Sequence, residues 1–327
     1  MTKTYTNDRN IPLSVAVYLA NDTYQQPPDD GKKYISATTL LKSTRQIILT
    51  SRADGTAMAK PVDIAHMSAS RGGTALHDAI ESAWVNNYKG SMEALGYPQN
   101  IIDKVVLNPD KVEPGQIPVY MEQRFYKPLG DWIVTGQFDF CGDGRLEDFK
   151  QTGTYTYTSG NKDEDYSMQG SIYKWGMPDI ITKDVMAIQF FFKDWNSYSS
   201  KQNNYPPADM VEKEFPLKDV DWTQNWILRK LSQIDMYSQL PENALPECTD
   251  KELWRTGTKW KYYKNPKGVR ATKVFDTPQE ANLRFVQDGS VGIVKEIKPP
   301  PRACMYCAGF NACTQKDKYI NSGELKI

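Results

Sequence analysis

The chain has 327 residues, of which 39% are hydrophobic and 24% are charged, so one large domain or two ordinary ones can bury a sizeable core. This composition excludes global disorder, and five cysteines in a chain of this length exclude a disulfide scaffold. Basic and acidic residues number 40 each, and this balance does not exclude a nucleic-acid partner, because basic residues can still concentrate along one groove.

The N-terminus and the most apolar stretch bear on where the protein acts. Residues 1–10 are polar and lack the apolar run of a signal peptide. The most apolar segment, 185–192, is far too short to cross a bilayer. We therefore expect a soluble, cytoplasmic protein with no membrane partner.

The first hundred residues predict one strand and two helices. Residues 13–19 alternate loosely and predict a short strand. Ser36 opens an apolar-periodic stretch that reaches Leu49, which predicts a helix with a serine cap. A second helix is predicted from residue 75 to about residue 88, because apolar residues recur there every four positions.

The middle of the chain predicts the strands of a sheet. Residues 119–126 are strand-like, and residues 132–140 alternate so that Asp139 lies on the polar face. A hairpin turn at 141–144 leads to a return strand at 145–151. Farther along, the pattern predicts a helix near 168–176, a buried strand at 185–192 and an amphipathic helix at 221–240.

Two acidic motifs flank the predicted hairpin, GQFD at 136–139 and DFK at 148–150. Residues two apart in a strand point the same way, so Asp148 and Lys150 share a face, and the hairpin can bring Asp139 alongside them. Two carboxylates and one ammonium would then converge. Carboxylates suit Mg²⁺ or Mn²⁺, and such a cation beside a lysine fits phosphodiester hydrolysis.

A D-x-K motif on its own is most often a surface hairpin with ordinary charges, because short motifs match by chance. Here two further blocks accompany it, GTALHDAIE at 73–81 and QGSIY at 169–173. The three blocks, in this order, resemble the RecB-type exonuclease branch of the PD-(D/E)XK nuclease superfamily. The matches run from about Gly73 to Tyr173, with a weaker one at 35–49, and the overall layout also resembles nucleases carried by bacteriophages.

The resemblance implies a fold and a set of site residues. The fold would be α/β, with a central mixed β-sheet flanked by helices and a small C-terminal cysteine-bound module. The metal ligands would be His77, Asp139, Asp148 and the Phe149 carbonyl. Lys150 would be the catalytic lysine. Gln169 and Tyr173 would face the site one helical turn apart, where they contact Lys150 or the nucleic acid.

The resemblance also implies a function, that of a Mg²⁺- or Mn²⁺-dependent deoxyribonuclease. It would be an exonuclease acting on single- or double-stranded DNA ends in recombination, repair or replication, with the proteins of those processes as candidate partners. Two alternatives stay open: a structure-specific endonuclease with the same site, and a nucleic-acid-binding subunit with an idle nuclease fold. The presence of Asp139, Asp148 and Lys150 argues against the idle fold.

Three further residues are of interest because of their positions. Glu122, within 119–126, is an additional candidate for the metal site. Glu81 lies one turn after His77 on the same helix face, where it either supports the site or is solvated. His66 has no such context, and we predict a structural role for it.

Three of the five cysteines follow the spacing Cys304-x2-Cys307-x5-Cys313, which is typical of metal ligands. The pattern resembles the C-terminal iron–sulfur motif of RecB relatives, which supply a fourth cysteine upstream of the nuclease core. This chain has Ser43 in that region, so Cys248 is the natural replacement. The predicted cofactor is an iron–sulfur cluster (4Fe-4S) or Zn²⁺; the alternative is that the thiols are free and the spacing is accidental.

The best domain boundary is LPENALP at 240–246. It separates a predicted nuclease domain at 1–240 from a C-terminal module at 241–327 that carries the four-cysteine site. Within the module, 259–286 predict two strands and a helix. KWKYYK at 259–264 interleaves rings and cations, which suits either contacts with single-stranded nucleic acid or an amphipathic strand with buried rings and solvated lysines.

Overall fold

A computed structural model describes residues 5–21, 27–54, 56, 62–255 and 257–326. The chain divides into two compact units, residues 1–41 with 61–232 and residues 42–60 with 233–327. Residues 42–60 therefore belong to the same unit as the C-terminal residues. The domain boundary at 240–241 stays a prediction.

The elements of secondary structure follow in chain order. The strands are β1 (Tyr5–Thr6), β2 (Lys33–Ser36), β3 (Val62–Asp63), β4 (Val105–Leu107), β5 (Ile117–Leu129), β6 (Trp132–Gly142), β7 (Arg145–Thr152), β8 (Val185–Phe192), β9 (Met210–Pro216), β10 (Lys259–Tyr263), β11 (Lys273–Phe275) and β12 (Ile293–Ile297). The helices are α1 (Leu13–Ala20), α2 (Ala37–Leu40), α3 (Thr44–Ala53), α4 (Ser68–Ala94), α5 (Gln99–Ile102), α6 (Thr154–Ser159), α7 (Asp163–Gly176), α8 (Val220–Ser238), α9 (Pro278–Gln287) and α10 (Thr314–Asn321). None of the described helices combines the length and apolar character that crossing a bilayer needs.

The first unit is built on a mixed sheet with strand order β4-β5-β6-β7-β8-β9, in which β2 also pairs with β6. The pairs β4 with β5, β2 with β6 and β7 with β8 are parallel. The pairs β5 with β6, β6 with β7 and β8 with β9 are antiparallel. The predicted fold class, α/β with a central mixed sheet flanked by helices, is confirmed.

Helices α4 and α7 both pack against this sheet. From α4, Trp84, Tyr88 and Met92 pack on a buried cluster formed by β4, β5 and β6. On α7, Gly170 permits a close approach, because a β-carbon there would lie 2.3 Å from the sulfur of Met186 on β8. Helix α4 contacts β7 and helix α7 contacts β6, the strands that carry the DFK and GQFD motifs.

The N-terminal prediction was wrong in one element and incomplete in another. Residues 13–19 form helix α1 and not a strand, because six of the seven are apolar or aromatic and leave no true period of two. The stretch predicted as one helix from Ser36 to Leu49 contains α2 and α3. Ser36 caps α2 by accepting from the backbone N–H of Thr39, as predicted, and Ser43 caps α3 in the same way through Gln46.

The second unit contains a small antiparallel sheet of order β11-β10-β12, which is covered by α9. The sequence predicted two strands and the helix but not β12. Elsewhere in this unit, Ile48 and Leu49 of α3 pack with Leu245 in a separate buried cluster.

Gly136 on β6 is another point of close packing between the sheet and α7. A β-carbon at this position would come within 2.6 Å of the Phe125 ring and 2.9 Å of the Tyr173 ring. We therefore expect Gly136→Ala to lower the free energy of unfolding by about 1–3 kcal/mol through overpacking. Denaturant titration followed by circular dichroism measures the change.

Gly73→Ala is the matched control, because it makes the same substitution in α4 where nothing lies within 4 Å of the added carbon. It should leave stability unchanged or raise it by up to about 1 kcal/mol, since alanine favours helix more than glycine does. Equal unfolding midpoints for the Gly136 variant and the wild type would contradict the packing argument.

Candidate active site and cysteine site

One cluster in the first unit gathers side chains from α4, β5 and β6. His77, Glu122 and Asp139 each place a donor atom within 4.8 Å of those of the other two. His77 Nδ1 lies 3.4 Å from Asp139 Oδ1. One imidazole nitrogen and two carboxylate oxygens form a donor set that suits a hard divalent cation such as Mn²⁺ or Mg²⁺.

Strand β7 contributes backbone atoms to the same place. The pairing of β6 with β7 ends at Phe140 and Glu147, so the next residues along both strands lie at a fork in the sheet. There the backbone N–H of Phe149 donates to Asp139 Oδ2 at 3.4 Å. The Phe149 carbonyl oxygen lies 2.8 Å from His77 Nε2, a distance that fits a hydrogen bond or two neighbouring ligands of one cation.

Buried charge controls the protonation of His77. Burial alone would lower the pKa of His77, but the hydrogen bond and charge of Asp139 and the Phe149 carbonyl raise it to about 9. Without a cation in the cluster, an imidazolium therefore balances the carboxylate. A metal ligand must be a neutral imidazole, so cation binding at this site would displace a proton.

Glu122 stands opposite Asp139 in a strained backbone conformation. It falls between the register pairs Met121 with Phe140 and Gln123 with Phe138, and its φ of 51° is in the left-handed region. Such a conformation costs on the order of 1–3 kcal/mol in a non-glycine residue. Burial, the largest cause, and the charge of Asp139 together raise the pKa of Glu122 to about 7.

A short hydrogen-bond chain orients the Glu122 carboxylate. Arg124 donates to Gln137 Oε1 at 2.6 Å, and Gln137 Nε2 donates to Glu122 Oε2 at 2.6 Å. The alternation of residues 132–140 puts Gln137 on the same strand face as Asp139, but it does not indicate this role. The period-two pattern could indicate only that Gln137 lies near Asp139. Its hydrogen bond to Glu122 depends on the register of β5 with β6.

Asp148 and Lys150 form an ion pair beside the cluster. Lys150 Nζ lies 2.6 Å from Asp148 Oδ2, and their side chains are 29% and 5% exposed. Burial raises the pKa of Asp148 to about 6, although Lys150 opposes the shift. Burial would lower the pKa of Lys150, but Asp148 and Asp139 raise it, so the lysine keeps its positive charge. Asp148 is not one of the three clustered donors, and its role as a ligand stays a prediction.

The predicted pair on α7 lies close to these charges. Gln169 Nε2 donates to the Tyr173 hydroxyl at 2.8 Å, one helical turn away. The Tyr173 ring is buried, and burial together with the charge of Asp148 raises the pKa of its hydroxyl. Contacts of this pair with nucleic acid stay a prediction.

Glu81 and His66, the other two residues considered from the sequence, are not among the three clustered donors. The charge of Glu81 contributes to the raised pKa of Glu122, so this carboxylate is near the site without being one of the donors. His66 lies in a short 3₁₀ helix at Ile64–Met67, and the structural role predicted for it stays a prediction.

In the second unit, four cysteines line a single cavity of about 40 Å³. They are Cys248, Cys304, Cys307 and Cys313. Two short 3₁₀ helices, Arg302–Tyr306 and Phe310–Ala312, present the last three to the cavity. The volume exceeds what a single water molecule needs, so the cavity has room for a larger group.

Polar residues of the same unit hold this cavity together. Gln315 clamps the backbone of Cys248, accepting from its N–H at 2.8 Å and donating to its carbonyl at 3.0 Å. Ser43 Oγ lies 3.2 Å from Cys248 Sγ, and Arg45 donates from Nε to Cys313 Sγ at 3.3 Å. Arg45 is buried and also pairs with Glu242, so one fixed cation lies against the sulfurs.

Two of the four thiols are poor acids in this cavity. Burial raises the pKa of Cys248 and of Cys304 to about 11, and the neighbouring sulfurs contribute. They would therefore remain neutral at physiological pH unless a cation held them as thiolates. Cys141, in the first unit, is buried and points its sulfur at the Ile180 carbonyl.

No family model and no curated protein matches this chain. Among solved structures, it is similar to SSO0001, with 14% sequence identity and a TM-score of 0.41, over 70% of this chain and 87% of that chain. It is also similar to a phage-related exonuclease from Haemophilus somnus 129PT, with 10% identity and a TM-score of 0.28, over 63% of this chain and 94% of that chain. At these TM-scores the similarities carry no argument about function.

The Glu122 carboxylate offers a direct test of cation binding. We expect Glu122→Gln to weaken Mn²⁺ binding by roughly tenfold or more, because one of three clustered donors is removed. Isothermal titration calorimetry without nucleic acid measures the dissociation constant.

Glu147→Gln is the control. Glu147 is also a carboxylate in this sheet, but it accepts from Arg145 and Gln189. This variant should bind Mn²⁺ as the wild type does. The same affinity in both variants would remove Glu122 from the ligand set.

Proposed function

We propose that the protein is a Mg²⁺- or Mn²⁺-dependent nuclease that hydrolyses phosphodiester bonds in DNA. The observation that supports this most is the convergence of His77, Glu122 and Asp139 beside the Asp148–Lys150 ion pair. Hard oxygen donors and a fixed ammonium in one place are what phosphoryl transfer to water requires.

Each residue of the site would have a separate role in hydrolysis. His77, Glu122, Asp139 and the Phe149 carbonyl would hold the cation, and Asp148 is a further candidate ligand. When bound, the cation supplies Lewis acidity and positive charge for the transferring phosphoryl group. Lys150 would orient the attacking water and offset charge on the phosphate. Tyr173, fixed by Gln169, would border the path of the strand.

Within this function we favour exonuclease action on DNA ends, in recombination, repair or replication. The support is the resemblance of the three sequence blocks to RecB-type exonucleases. End-labelled linear DNA should be degraded much faster than covalently closed single- or double-stranded circles. Equal rates on circles and linear molecules would favour a structure-specific endonuclease instead.

Lys150 provides the decisive test of the nuclease site. We expect Lys150→Ala to reduce Mn²⁺-dependent hydrolysis of linear DNA by roughly a hundredfold to a thousandfold, because the charge opposite the phosphate is removed. Affinity for DNA should remain, because a single substitution leaves the other residues that would contact DNA in place. Hydrolysis is followed by release of label, and binding by fluorescence anisotropy in EDTA.

Lys183→Ala is the matched control. It removes another lysine of the first unit, one that pairs with the exposed Asp143. This variant should cleave DNA at the wild-type rate. If Lys150→Ala also cleaved at nearly the wild-type rate, the proposed active site would be wrong.

We further propose that the four cysteines of the second unit hold one metal centre, either an iron–sulfur cluster or Zn²⁺. Their thiols share one cavity, and soft thiolates suit these metals and not Mg²⁺. The Arg45 guanidinium at Cys313 would offset part of the negative charge of such a centre. Metal analysis of anaerobically purified protein should find about four irons with matching sulfide, or about one zinc, per chain.

Four variants test this centre. Cys304→Ser should lose the metal and expose the C-terminal region to protease, whereas Cys141→Ser should keep it. Because Ser43 Oγ lies 3.2 Å from Cys248 Sγ, adding Ser43→Cys to Cys248→Ser should restore metal that Cys248→Ser alone loses. Folded wild-type protein without metal at these thiols would contradict the proposal and leave the nuclease proposal unaffected.

A further inference from the structure

The small sheet of the second unit has one covered face and one open face. Residues paired directly across antiparallel strands point to the same side. Tyr262 is fully buried and meets Phe285 of α9 edge-on at a ring distance of 6.3 Å, so this face lies under the helix. Lys261 and Tyr263, its neighbours along β10, therefore point to the opposite side.

By strand register, the open face consists of Lys259, Lys261, Tyr263, Val274, Ile293, Lys295 and Ile297. Val274, Ile293 and Ile297 are exposed to 48%, 39% and 37%. Water therefore reaches three branched apolar side chains that lie among lysines. An apolar strip bordered by charges of one sign is typical of a binding surface.

Two of the three lysine charges of the open face, those of Lys261 and Lys295, are not paired with an acid of the described residues. Lys261 is directly opposite Lys295, an arrangement of like charges that destabilises a sheet. Neither lysine pairs with an acid of the described residues, whereas Lys259 pairs with Asp276. Lys295 Nζ instead lies 5.4 Å from the centre of the Tyr263 ring. A polyanion bound here would relieve the repulsion.

The surrounding segment adds to this positive field. Residues 259–297 contain eight lysines and arginines and four acids, whereas the whole chain has 40 of each sign. Positive charge is thus concentrated in this small module. An acidic partner would be attracted to it more strongly at low salt.

We propose that the open face binds single-stranded nucleic acid, with Lys261 and Lys295 contacting phosphates and the Tyr263 ring stacking on a base. The ring beside the two lysines decides the occupant, because a flat base uses the ring while neighbouring phosphates use the ammonium groups. An acidic peptide or a membrane surface would use the charges but not the ring.

The proposal deepens the nuclease function, since it concerns the same class of substrate, but it can be tested without cleavage. The background is the full-length chain carrying Lys150→Ala, in EDTA, with a fluorescein-labelled oligothymidylate as the probe. Anisotropy is measured over a range of salt concentrations. Thermal melting by circular dichroism checks that each variant is folded.

We expect Lys261→Gln/Lys295→Gln to weaken binding and to reduce the slope of log affinity against log salt by about 0.7 for each phosphate that loses its lysine. Tyr263→Ala should weaken binding about fivefold or more without changing the slope, because stacking releases no counterions. Lys273→Gln/Lys326→Gln is the matched control. It removes two exposed lysines outside the open face and should keep the affinity and slope of the background.

Two results would overturn the proposal. One is an affinity and salt slope for Lys261→Gln/Lys295→Gln equal to those of the control. The other is efficient displacement of the probe by oligoglutamate together with no effect of Tyr263→Ala, which would make the face a general polyanion surface. If the double variant unfolded, Lys295→Gln alone, at an exposed position, gives the same test. Failure here would leave the cleavage result for Lys150 untouched.

Discussion

The carboxylate of Asp139 is the group around which the rest of the candidate site is arranged. It faces His77, accepts from the backbone of Phe149 and stands opposite Glu122 in the sheet. Its charge contributes to the raised pKa values of Glu122 and Asp148. Burying acids so close together is unfavourable unless positive charge accompanies them. An imidazolium and one ammonium supply part of that charge, and a divalent cation is the natural complement.

This concentration of charge is possible because regular strand pairing is interrupted at two places in the sheet. Where β6 and β7 part, the Asp139 carboxylate replaces a strand as the acceptor for the Phe149 N–H. On the other side of Asp139, Glu122 adopts a left-handed φ between two regular register pairs. The strand pairs on either side of these two irregular positions are intact, so the sheet remains rigid. The irregular positions direct polar atoms into the fork between β6 and β7. Strain of this kind persists where the surrounding structure fixes it.

The fold class was predictable from sequence because period and turn chemistry are local. The hairpin flanked by GQFD and DFK and the buried strand β8 follow from these signals, as does the serine cap of α2. What failed lacked a clear local signal: the apolar run at 13–19 has no clear period, so its pattern did not distinguish a helix from a strand. Glu122 was a candidate by position alone, since its approach to Asp139 is set by the β5–β6 register. Arg45 gave no local signal, because its partner sulfur lies 268 residues away.

The chain has no net charge, but its charged and ionisable groups are concentrated at particular places. Ligand binding at these places would therefore affect the stability of the fold. Acids are buried around Asp139, two thiols that resist ionisation line a cavity of the second unit, and two lysines of like charge face each other on the open face. Each arrangement is unfavourable in the free protein, and each would be relieved by a ligand of the complementary kind. A ligand that binds only the folded chain stabilises it in proportion to the logarithm of its concentration over its dissociation constant. For the thiol cavity the coupling should be strongest, because a metal that holds four thiolates contributes its binding energy directly to folding.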